Sequence, residues 1–114
     1  MNDRELLELA AKAAGIDAEW HNDDDADFDA AHEGMFLKGE RSPDNSKYWN
    51  SLHNDGDALR LAVKLRMQID ILDRSIYALA MGGTKVCELD RADPQAAARR
   101  AVTRAAAEIG KGMK

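Results

Sequence analysis

Any chemistry in this 114-residue chain has to come from a short set of side chains. Asp23, Asp25, Asp27 and Asp29 alternate along an acidic run that also holds Asp24 and Glu33. Calcium-binding loops place their first oxygen ligands at this spacing. The pattern breaks where such a loop is strictest. Phe28 stands where a glycine makes the sharp turn, and Gly34 where a bidentate glutamate completes the shell. A solvated acidic loop therefore accounts for the run. His21, His32 and His53 are the whole histidine set. The first two would meet across the base of a hairpin, but no H-x-x-x-H or C-x-x-C spacing accompanies them, so no metal is assigned. Cys87 has no partnered base and reads as a small residue packed in a strand. Asp55 and Asp57 resemble a carboxylate pair, yet capping and the dipole of a helix explain both. Gly82-Gly83 lies between alternating segments, which makes it a hairpin connection; no helix follows that could hold a phosphate. No catalytic constellation forms, no cofactor is called for, and the chain reads as a non-enzyme.

What remains are surfaces. The acids Asp23, Asp24, Asp25, Asp27 and Asp29, with the ring pair Tyr48 and Trp49, make a candidate partner-binding set. The two rings either close a corner of the core or anchor a partner, and the core reading weighs more. Arg99, Arg100 and Arg104 share a neighbourhood on the outward face of a final helix, an alternative nucleic-acid surface that lacks interleaved aromatics. The net charge of −5 is uneven. Residues 22–33 hold acids and no Lys or Arg, while the stretch from Arg91 onward is mildly basic. The body between is near neutral, too weak a field for general attraction to nucleic acid. No apolar run of about eighteen residues is present to span a bilayer. The opening MNDRELLEL lacks the layout of a signal peptide, and a single cysteine fits a reducing cytosol, so a cytoplasmic protein is expected.

The elements that would position these residues follow from periodicity. Asn2 and Glu5 have capping-box spacing, Leu6, Leu9, Ala10 and Ala13 recur as a helical stripe, and Gly15 supplies a left-handed stop with Ile16 folding back. Residues 16–21 and 35–37 read as strands flanking the acidic loop 22–33, and residues 39–47 are turn-formers throughout. A second helix begins near Asp55 as its cap. Ala58, Leu61, Ala62 and Leu65 form its stripe, Leu59 and Val63 lie beside it, and Arg60, Lys64 and Arg66 fall on or near the other face. The period then changes to two. Residues 67–71, 76–81 and 84–89 read as a meander whose middle strand is apolar on both faces and hence central. Asp93 and Pro94 open a last helix with a stripe of Ala98, Ala101, Val102, Ala105 and Ile109, ended by Gly110.

The segment WNSLHNDGDALRLAVKL, the alternating strands after it and the closing DPQAAARRAVTRAAAEIG together resemble a group of small phage and prophage proteins of the wider phage "ABA sandwich" type. In these a Trp-containing segment leads into an Asp-capped helix, a β-meander and an alanine-rich closing helix. The likeness covers residues 49–110, with the opening helix matching more loosely. It implies a sheet between helical layers and a phage or prophage origin, and it carries no activity, cofactor or catalytic residue. Ser51 stands where these proteins favour a proline. The combined expectation is one α+β domain over residues 1–114, order α-β-β-α-β-β-β-α, with helices packed on the faces of an antiparallel sheet. Its expected role is that of a cytosolic phage accessory protein acting through an unidentified protein partner, possible host factors included. Weak nucleic-acid binding through the arginine face is the alternative, with a small-ligand or metal binder beside it.

Overall fold

An alanine-rich run makes the longest element, α3 (Pro94–Lys111). Asp93 caps it, its carboxylate accepting from the Ala96 N–H at 3.1 Å, and Pro94 sits in the first turn, where a missing N–H costs nothing. The computed structural model describes residues 2–21, 34–37, 48–80, 85–89 and 93–113. The expected stop at Gly110 is corrected: the helix continues through it to Lys111. Gly110 serves close approach instead. A Cβ there would land on the carbonyl oxygen of Leu9 and 2.8 Å from its carbonyl carbon. Leu9 belongs to α1 (Asp3–Ala14), which runs in the same direction as α3. Arg100 lies 3.5 Å from Asp3 at one end, and the Lys12 ammonium donates to the Met113 carbonyl at 2.9 Å at the other. The ends of α1 are as the spacing predicts. Asn2 accepts from the Glu5 N–H at 2.9 Å, and Gly15, at φ 69°, closes a Schellman turn in which the Ile16 N–H donates to the Ala11 carbonyl at 2.9 Å.

Between α1 and α3 the chain forms β1 (Ala18–His21), β2 (Gly34–Leu37), β3 (Tyr48–Trp49), α2 (Asp55–Lys64), β4 (Gln68–Ile71), β5 (Ser75–Leu79) and β6 (Lys85–Leu89). The described strands make two antiparallel sheets, ordered β1-β2-β3 and β4-β5-β6. The α+β class with helices packed on antiparallel sheet is what the chain adopts. The first hairpin stays out of the meander and instead pairs with β3, a strand of two residues and too short to show any alternation. The acidic loop 22–33, the turn-rich stretch 39–47 and the Gly82-Gly83 connection lie outside the described residues.

Two buried clusters meet on α3. One gathers Leu7 and Ala10 of α1, Met35, Trp49, Leu61 of α2, and Val102 and Ala106 of α3. The other sets Ile76, Ala78 and Val86 of the meander against Ala97, Ala101 and Ala105. Met67 and Ile69 pack against both, which ties the clusters together. The strand β5 is central, as expected, with Ile76 and Ala78 turned to α3. Its alternate residue Tyr77 is half-buried on the opposite side, with the Lys85 ammonium 4.6 Å from its ring. Cys87 pairs with Tyr77 on that side and is exposed, which corrects the packed reading of the thiol. Alternation decides it: Val86 turns inward, so Cys87 cannot.

The exit from α2 carries the one non-glycine residue with positive φ among the described residues, Arg66 at 52°. It sits where a Schellman turn usually places glycine, with the Met67 N–H donating to the Ala62 carbonyl at 2.9 Å and the Arg66 N–H to the Val63 carbonyl at 3.2 Å. Two outcomes follow from these backbone constraints. Gly110→Ala should lower stability by about 2 kcal/mol despite the better helix propensity of alanine, because α1 is forced away. In a thermal melt the loss reads as a Tm lower by roughly 8 °C. Gly112→Ala, whose Cβ would meet nothing nearer than 3.6 Å, should leave Tm almost unmoved. Arg66→Gly should raise stability by up to about 1 kcal/mol, since glycine adopts the left-handed conformation without strain.

Candidate interaction surface

The segment that joins β3 to α2 folds back on itself through polar side chains. The Asn50 N–H donates to Asp57 Oδ2 at 2.9 Å, and Asn50 Oδ1 accepts from the N–H groups of Leu52 at 2.9 Å and His53 at 3.2 Å. Asp57 Oδ1 takes a guanidinium nitrogen of Arg60 at 2.7 Å. The cap of α2 is Asn54, not Asp55 as expected: its backbone is extended, and its side chain accepts from the Asp57 N–H at 2.9 Å. Asp55 is thereby released to meet Arg99 at 2.5 Å. Ser51 and Thr103 are fully buried and share a hydrogen bond of 2.8 Å. Because the Thr103 hydroxyl donates to the Arg99 carbonyl at 2.8 Å, Ser51 is the donor between the two. A proline at position 51 would delete that bond. Asp57 is buried and doubly bonded, so Asp55 and Asp57 hold the turn and do not form a catalytic pair.

Of the three arginines expected on an outward face, Arg99 turns to the segment before α2, while Arg100 and Arg104 both reach Glu88. Arg99, with a side chain only 16% exposed, donates to the Leu52 carbonyl at 2.9 Å as well as to Asp55. Arg100 faces Asp3 of α1 and, at 3.7 Å, Glu88 of β6. Arg104 pairs with Glu88 and donates to the Cys87 carbonyl at 3.2 Å. A cavity of about 440 Å³ between β6 and the start of α3 is lined by Glu88, Asp93 and Arg100, whose charged groups are engaged in these pairs and in the cap of α3. Of the candidate partner-binding set, Trp49 is buried in the core, so it anchors the fold and is not offered to a partner. Tyr48 lies in β3 opposite Phe36, and Asp23, Asp24, Asp25, Asp27 and Asp29 lie outside the described residues. His53 is exposed, and among the described residues no group of three His, Cys, Asp or Glu stands close enough to hold a metal ion.

The surface that the residues do assemble is apolar and was not singled out from the spacing. Leu59 and Val63 of α2 are 63% and 69% exposed. Both fall on the side of the helix away from Leu61, one turn apart, and form a ridge. Beside Leu59 opens a groove of about 220 Å³ between α2, α3 and β4, floored by Ala58, Ile69, Ala98 and Val102 and rimmed by Gln95 and the Asp55–Arg99 pair. Ile71 continues the line of Ile69 along β4 and is 71% exposed, with Leu72 exposed beyond it. Single exposed apolar residues need no explanation, but a ridge, a groove and a strand end in sequence make a patch. The expectation that Leu59 and Val63 lie beside the buried stripe is corrected: each stands about 160° from Leu61 around the helix, on the side that faces away from the core.

The same geometry separates a structural arginine from a surface one. Arg99→Ala should cost about 2 kcal/mol, because it leaves the Leu52 carbonyl and a half-buried turn without their donor. Asp55→Ala, removing only a carboxylate that is 72% exposed, should cost less than about 1 kcal/mol. Urea unfolding of the two variants against the parent chain reads the difference directly.

No family model matches the chain, and neither does any curated protein or solved structure.

Proposed function

We propose that this protein works by binding another protein, without chemistry of its own, and that the ridge and groove formed by α2, α3 and β4 are the binding surface. The observation that carries this reading is the exposure of Leu59 and Val63 beside an apolar groove, in a chain whose core is built largely of alanine. Large aliphatic side chains contribute most when buried, roughly 1.5–3 kcal/mol each, yet Leu59 and Val63 face outward while many core positions hold alanine. A surface of that kind gains its burial only in a complex. We further propose, from the resemblance of residues 49–110 to small phage and prophage proteins, a setting in the cytoplasm of a host cell and a host factor as one class of partner. Binding of nucleic acid through Arg99, Arg100 and Arg104 has less support, since each guanidinium is held by a carboxylate of the same chain.

A photocrosslinking residue placed at Val63 tests the reading in cells. A discrete adduct is expected there and not with the same residue at Glu8 on α1, and Leu59→Asp should abolish it without moving Tm by more than about 2 °C. Equal adducts from both positions, or none from position 63, would sink the proposal.

A further inference from the structure

The backbone at the edge of β4 specifies the form of the partner, an inference that rests on the protein-binding reading above. The Leu72 N–H donates to the Ser75 carbonyl at 2.9 Å, so these two residues are a hydrogen-bonded pair of the antiparallel ladder. Pairs of that kind alternate with non-bonded ones along two strands. Asp70 lies opposite Tyr77 and Gln68 opposite Leu79, so both spend their N–H and C=O groups on β5. The same groups of Ile69 and Ile71 point the other way, off the sheet, and meet no partner among the described residues. The free edge starts at Ile69, because the end of α2 holds the preceding donor: the Met67 N–H reaches the Ala62 carbonyl at 2.9 Å.

The opposite edge of the sheet is closed. On β6 the outward Cys87 carbonyl accepts from Arg104 at 3.2 Å. Edge strands are commonly blunted by such a cover, by a lysine or proline, or by a bulge. The strand β4 has none of these, reading Gln68, Ile69, Asp70, Ile71 in unbroken register. Asp70 stands on the side away from α3, meets the Gln68 amide at 3.4 Å, and makes no ion pair among the described residues.

We propose that β4 is extended by an antiparallel strand of a partner protein, with Lys or Arg opposite Asp70 and aliphatic residues opposite Ile69 and Ile71. The added strand pairs the N–H and C=O of both isoleucines. Its aliphatic side chains lie on the α3 side, where Ile71 is exposed and Ile69 borders the groove. Charge argues against a second copy as the occupant. Pairing Ile69 with Ile71 of another copy would set Asp70 directly against Asp70, and like charges so placed repel. A shift by two residues one way needs the Met67 N–H, which α2 holds, and the other way runs onto the turn at Asp73 and Arg74.

A displayed library of peptides, with valine fixed at alternate positions and the positions between left free, provides the probe. In the full chain alone, amide exchange should be faster at Ile69 and Ile71 than at Asp70. The selected peptide should carry Lys or Arg between two valines and should protect both isoleucine amides. Asp70→Lys, checked for an unchanged melt, should bind it about fivefold more weakly, and a peptide with glutamate in place of the cation should regain that loss. N-methylation of the peptide amides that face β4 should weaken binding at least about tenfold, and methylation of the alternate amides much less. Selection of no binder, a peptide that leaves Ile69 and Ile71 exchanging, or affinity indifferent to Asp70→Lys would overturn the proposal. So would protection of those amides in the chain alone together with a dimer in light scattering, which would make a second copy the occupant. The two readings fail separately. A crosslink at position 63 with no strand peptide selected leaves protein binding standing and removes the added strand, whereas absence of both removes both.

Discussion

The rest of the structure depends on α3 being enclosed on most of its circumference. One side lies against α1, a second against the meander and a third against α2, so its side chains have little room. Ala97, Ala101, Ala105, Ala106, Ala107 and Gly110 meet that condition, and the Leu9 carbonyl beside Gly110 shows how little clearance remains. Small residues also suit the helix itself, since alanine loses no side-chain freedom on folding. The same run thus serves local structure and close packing, and agreement between levels of that kind is what lets a sequence specify one fold.

A core filled with alanine buries less apolar area per residue than one of leucine and isoleucine, which gives polar contacts a larger share of the specificity. Those contacts converge on the segment between Trp49 and Asp57. Ser51 reaches Thr103, Arg99 reaches the Leu52 carbonyl and Asp55, and Asp57 closes the turn from the other side. Among the described side chains, no buried nitrogen or oxygen lacks a hydrogen-bond partner. A fully satisfied network of this kind fixes the angle at which α2 leaves the core, and with it the position of the groove. The arginines follow the same logic: they tie α3 to the 50–55 turn, to α1 and to β6, so their charge is consumed inside the molecule.

The outer side of α2 obeys a different rule. Its apolar ridge is exposed and contributes little to the folded chain, and just beyond its end Arg66 stands on left-handed backbone that glycine would adopt with less strain. Residues that weaken local rules without a structural return are where a working surface is sought. In this molecule Leu59 and Val63, exposed beside the groove, are such residues, whereas Trp49 is buried and Arg99, Arg100 and Arg104 are paired within the chain.

By itself the sequence determined most of the elements, because those signals are local. Asn2 with Gly15, Asp93 with Pro94, and the alternation through Met67, Ile69 and Ile71 each act over a few residues and need no distant partner to be read. The pairing of β3 was not legible, since two residues carry no period, and the separation of the two sheets depends on which strand lies beside which. Caps and charges were only half legible. Asp55 and Asn54 are both good caps, and only the structure shows Asn54 in that place, with Asp55 paired to Arg99 from more than forty positions away in the chain. Gly110 has the sequence look of a stop, but only the packing of α1 shows it to be a point of contact. The groove is wholly a product of tertiary structure: its floor comes from three elements, and no spacing within one of them reveals a concavity shared by all.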